Sequence, residues 1–143
     1  MERGVALVTP RFTDNGDGTV TDNQTGLIWL KDANCFGTRT WADAISDCNG
    51  LASGSCGLTD SSSAGDWRLP NIKELLSLID WGQHTPALPL GHPFDDVQSF
   101  DHFTSTTDAI NDNIIWRVHM GDGDVLDDYT SPTAFVWPVR GGH

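Results

Sequence analysis

Basic residues are scarce in this chain of 143: eight Lys and Arg stand against twenty Asp and Glu, for a formal net charge of −12. The eight (Arg3, Arg11, Lys31, Arg39, Arg68, Lys73, Arg117, Arg140) are scattered, so no basic stripe exists to track a phosphate backbone. That excludes nucleic acid as a partner class, and a sulfated glycan would be repelled. Long apolar runs are missing too. Nothing approaches the roughly twenty residues that span a bilayer, so membrane insertion is not expected. Residues 4–8 are too short and poorly flanked to be a signal peptide. Glycine-rich phosphate loops, a G-x-S-x-G elbow and an H-E-x-x-H pair do not occur. Carboxylate pairs do occur, at Asp95/Asp96 and Asp127/Asp128, but in so acidic a chain they mark no glycosidase. The chain reads as a non-enzyme.

What is present is organised around the stretch from Asp66 to Asp80. Pro70 pushes Leu69 out of the helical region, so the approach through Trp67, Arg68 and Leu69 is extended. Asn71 is a good N-cap, and Glu74 three residues later completes a capping box. Ile72, Leu75, Leu76 and Ile79 then recur at i, i+3, i+4 and i+7, the apolar face of a buried helix. The stretch predicts strand, corner, helix.

The run W-R-L-P-N-x-x-E-L-x-S-L-I-D, here residues 67–80, resembles the bacterial family of Lcl C-terminal-domain-like proteins, typified by a domain of a collagen-like adhesin. More distantly it is similar to the R-L-P-T-x-x-E-W-E corner of formylglycine-generating enzymes. Residues 11–26, 27–36, 103–107 and 135–142 also look like family landmarks. The resemblance implies a C-type-lectin-like fold: α+β, two helices on a twisted, mostly antiparallel sheet, with long irregular loops. It implies one domain over residues 11–142, after a leader segment at 1–10, and a secreted or surface-displayed setting. The formylglycine-generating activity is not expected, because its cysteines lie late in the chain and here every cysteine falls between 35 and 56.

Taken in order, the chain opens turn-dense, with Asn15-Gly16, Asp17-Gly18 and Thr25-Gly26 separating two predicted antiparallel strands, 19–21 and 27–30. Asp14, Asp17 and Asp22 invite a calcium reading, but no EF-hand register fits, and acidic residues also serve tight turns. A helix follows: Thr40 caps it, Asp43 favours its first turn, and Gly50 offers a stop. Trp41, Ala44, Ile45 and Cys48 share its buried face. Three cysteines cannot all pair within the chain. Cys35 and Cys56 flank this helix, and the family's A-N-C-F-G and G-S-C-G-L pieces favour a disulfide between them, leaving Cys48 as a buried thiol. A zinc site lacks a C-x-x-C pair or a close His.

Residues 52–65 read as a surface loop, and 81–94 as a long irregular connection carrying the exposed histidines His84 and His92. Residues 114–120 alternate, turn at Gly121-Asp122-Gly123-Asp124, and return through 125–129 as a hairpin. Trp116 and Val118 are expected inward and Arg117 and His119 outward. Arg117, His119, Asp122, Asp124 and Tyr129 then form the candidate ligand-binding patch, polar groups of both signs beside one aromatic. Phe135, Trp137 and Val139 alternate in a last strand expected to pair with the first ones.

The expected function is ligand binding at a cell or particle surface, to a glycan or a protein. The alternatives are a structural capping or trimerising module, which would make the chain a homotrimer instead of a monomer, and a diversified target-binding scaffold.

Overall fold

The structure, a computed structural model, describes residues 10–107, 110, 114–126 and 133–141. The leader expected over residues 1–10 therefore lies outside the described residues except for Pro10. The elements run β1 (Phe12–Asp14), β2 (Thr19–Asp22), β3 (Leu27–Leu30), β4 (Thr38–Thr40), α1 (Trp41–Gly50) and α2 (Ile72–Leu76). After them come β5 (Asp101–Thr107), β6 (Ile115–His119), β7 (Asp124–Leu126), β8 (Thr133–Phe135) and β9 (Val139–Gly141).

The fold is α+β, but the strands form two sheets where one was expected. One is ordered β1-β2-β3-β9 and the other β4-β8-β5-β6-β7. Among the described strands every pairing is antiparallel except the single contact of β5 with β8. The sheets separate because the expected last strand breaks in two. Val136 and Trp137 are both fully buried in succession, which a one-faced strand does not allow. Pro138 then has no N–H to give a ladder. The chain leaves one sheet at Phe135 and enters the other at Val139. As expected, this final strand pairs with an early one, Leu27 against Gly141.

The larger core lies around three fully buried indoles, Trp29, Trp67 and Trp137. Trp137 stands edge-on to Phe94 at 4.8 Å and tilts against Trp29 at 5.4 Å, and its Nε1–H donates to the Leu30 carbonyl at 2.9 Å. A second cluster joins Ala44 and Cys48 of α1 to Phe103, Ala134 and Val136. The five-stranded sheet is thus covered on both faces.

The organising stretch is built as its residues predict. Asn71 accepts from the Glu74 N–H, and Glu74 accepts from the Asn71 N–H. Arg68 exchanges backbone hydrogen bonds with Val139 and donates a side-chain bond to Glu74 at 2.7 Å and to the Gly141 carbonyl at 2.8 Å. The helix is shorter than its apolar spacing suggests: it ends at Leu76, and tighter turns carry Leu78 and Ile79 into the core. In α1, Thr40 caps as expected, whereas Gly50 is the last helical residue and Leu51 turns the chain out in an extended conformation. Among the described residues no helix is long and apolar enough to cross a membrane.

Cys35 and Cys56 form a disulfide with Cα atoms 5.7 Å apart. Cys48 is the free cysteine, fully buried, and burial pushes its thiol up to about 12. The β1–β2 turn rests directly on the bridged loop: a Cβ at Gly18, whose φ is +88°, would sit 2.5 Å from the Gly57 carbonyl oxygen. Thiol titration of denatured, unreduced protein is expected to find one free cysteine, and peptide mapping to place it at Cys48. A bridge that includes Cys48 would contradict the packing of α1.

Candidate functional site

A concave site with an exposed aromatic beside polar side chains lies at one end of the five-stranded sheet. Antiparallel register sets Asp101 opposite His119 and Phe103 opposite Arg117, and it sets His119 opposite Asp124 on the next strand. Directly opposed residues share a face. A groove of about 290 Å³ opens there, bounded by Phe100, Asp101, His119 and Phe135 and by Thr38 and Thr133 at the ends of β4 and β8. Phe100 is 59% exposed. It stacks on Phe135 with ring centroids 6.2 Å apart and meets the His119 ring edge-on at 6.4 Å.

The candidate patch read from the hairpin divides here. His119 lines the groove as a half-buried side chain, with Nδ1 3.3 Å from the Asp122 carboxylate. Gly121 leaves room for that ring, since a Cβ there would come within 2.7 Å of His119 Cε1. Asp122 also accepts from the Asp124 N–H at 3.0 Å, so it shapes the turn as well as facing His119. Asp124 is exposed beside it. Tyr129, with Asp127 and Asp128, lies outside the described residues.

Arg117 is a correction: it was expected outward and is buried, 3% exposed. Its guanidinium lies 4.9 Å over the Phe103 ring and 3.8 Å from Asp101, and it donates to the Thr133 carbonyl at 3.4 Å. Strand alternation assigns two faces, but it does not say which one water sees. In a sheet covered on both sides, both faces go inside. Trp116, expected inward, is only half-buried.

Phe100 was missed by sequence reasoning. It follows Ser99 outside the strand pattern, and nothing in its neighbours marks an exposed aromatic. The 81–94 connection, by contrast, does come to this end of the molecule. Thr85 N–H donates to the Gly121 carbonyl at 2.8 Å and Ala87 N–H to the Met120 carbonyl at 2.7 Å. His84 is exposed, as expected, whereas His92 is partly buried and stacks on Phe94 at 5.9 Å. Burial holds its pKa below the ordinary histidine value.

Under the groove lies His102, fully buried between the rings of Phe135 and Trp137. Its Nδ1 is 2.9 Å from the Phe100 carbonyl, and Nε2 has no partner among the described residues. Burial lowers its pKa to about 4.

The three candidate cation ligands do not converge. Asp14 pairs with Lys31 at 2.8 Å and accepts from the Gly16 N–H at 3.0 Å. Lys31 holds the Asp14 carboxyl below the usual range. Asp17 accepts from the Thr19 N–H and hydroxyl, within its own turn. Asp22 is fully buried and takes a forked bond from Arg11, at 3.1 and 2.9 Å. Asp14 does line a second cleft of about 480 Å³ with Lys31, Asp32 and Asp95. Among the described residues, however, no group of three or more His, Cys, Asp or Glu side chains is placed to hold a metal ion.

Among curated proteins and solved structures, nothing matches the chain. A family match spans the groove, all of the five-stranded sheet and most of the other, leaving out β1. Residues 18–140 match the Lcl C-terminal domain, and the chain belongs to that family.

Proposed function

We propose that this chain is a non-enzymatic ligand-binding domain of the C-type-lectin-like class, displayed outside the cell or on a particle surface and adhesin-like in role. Its ligand is a glycan or a protein, held at the Phe100 groove. The observation that carries the reading is the stacked Phe100–Phe135 pair, one ring largely open to solvent, beside Asp101 and His119. A large exposed aromatic next to convergent polar groups is the composition of a recognition site. The Cys35–Cys56 disulfide supports an oxidising compartment.

The test is a glycan and protein array followed by a double substitution, Phe100→Ala with His119→Ala. Binding to any partner found on the array should drop more than about tenfold, the scale of a recognition hot spot. Melting should fall by only a few degrees, because Phe100 is largely open to solvent and His119 is half-buried. Full binding by the double variant would place the ligand elsewhere and end this reading.

A further inference from the structure

The rim of the groove is acidic and its open face is aromatic. Asp101 is 30% exposed through its side chain, and Asp122 and Asp124 stand exposed on the adjoining turn. Arg117 lies 3.8 Å from Asp101, but its own side chain is 4% exposed, so its charge faces the interior. A cation is therefore the complementary guest: the aromatic face attracts it through the ring quadrupole, and a carboxylate beside the ring binds a guanidinium through paired N–H donors. Size agrees. About 290 Å³ is near the lower end of small-ligand sites, which run to roughly 1,000 Å³, and it suits one side chain better than a run of sugar rings. The net charge of −12 adds long-range steering of a basic partner towards the chain.

Resting on the ligand-binding reading above and narrowing it, the geometry points to a basic protein as the partner, with one arginine side chain entering the groove. Its guanidinium stacks on Phe100 and its N–H groups donate to Asp101. Arginine suits the site better than lysine, because a planar fork both stacks and pairs with a carboxylate.

The experiment is an NMR titration of the isotope-labelled full chain with N-acetyl-arginine amide, cellopentaose and a heparin hexasaccharide, each separately. The arginine probe is expected to give saturable shifts at the amides of Phe100, His119 and Phe135, weakening as salt rises to about 0.5 M. Phe100→Leu keeps apolar bulk but removes the ring face, and it should weaken that binding by about fivefold. Asp101→Asn should weaken it and flatten the salt dependence. Groove shifts with cellopentaose or heparin and none with the arginine probe would overturn the basic-partner proposal while leaving a ligand-binding groove standing. Silence from all three probes would overturn both. Arginine shifts scattered over the acidic surface and indifferent to Phe100→Leu would overturn the proposal as well.

Discussion

Trp137→Ala is expected to cost about 4–5 kcal/mol of folding stability, the largest effect of any single substitution considered. The indole is fully buried where the chain passes between the two sheets, wedged against Trp29 and Phe94. Truncation removes its transfer energy and leaves a cavity whose walls are strands and other rings, which collapse poorly. It also strands the Leu30 carbonyl, which accepts the indole N–H at 2.9 Å. Domains of this kind are stable by only about 5–15 kcal/mol, so the variant should sit close to unfolding. Trp137→Phe separates the two contributions: it fills much of the volume, loses the donor, and should cost about half as much. Urea unfolding of both variants makes the comparison. Equal stability of Trp137→Ala and wild type would mean that the two sheets are not joined through this ring.

Acid lability is the second large effect. His102 has a folded pKa of about 4, lowered first by burial and further by the nearby His119. Its unfolded value is about 6.5. Above pH 6.5 neither state is protonated and His102 contributes no pH dependence. As pH falls from about 6.5 to about 4, the unfolded chain takes up a proton that the folded chain refuses, so stability falls. Below about 4 both states are protonated and the loss levels off. The full drop is about 3 kcal/mol, at up to roughly 1.4 kcal/mol per pH unit. Compensation is only partial: the Phe100 carbonyl at Nδ1 favours the protonated ring, but the ring lies against Phe135 and Trp137 and Nε2 has no partner among the described residues. Urea midpoints measured from pH 7 to 4 in wild type and His102→Gln isolate the contribution, because carboxylates affect both alike. A wild-type curve parallel to the variant's would refute the assignment.

Local chemistry was the legible part of this chain. The capping box at Asn71 and Glu74 was readable because capping depends on residues three apart. The β6–β7 hairpin was readable for the same kind of reason: alternating residues flank a turn rich in Gly and Asp. The Cys35–Cys56 pairing was legible only through family resemblance, since spacing alone leaves connectivity open. What stayed hidden depends on distant partners. Pro138 marks a break in the strand, but which sheet Phe135 and Val139 each join depends on distant partners, among them the Leu30 carbonyl that accepts the Trp137 N–H. Arg117 was misplaced because its cover comes from Asp101, Phe103 and Thr133, on other strands. Of the candidate ligand patch, His119 reaches the groove, whereas Phe100 came to light only when Phe135 was brought beneath it.

The pairing of β9 with β3 also bears on how fast the chain folds. β3 can pair with β2 through a short hairpin, but its other neighbour is β9, which sets Leu27 beside Gly141. Such a contact closes a very long loop, so the chain should fold slowly for its size. Arg68 waits on the same strand, through its two backbone hydrogen bonds with Val139. Until β9 docks, β3 presents an open edge beside Trp29 and Leu30, and any second unfinished copy offers it a strand to pair with.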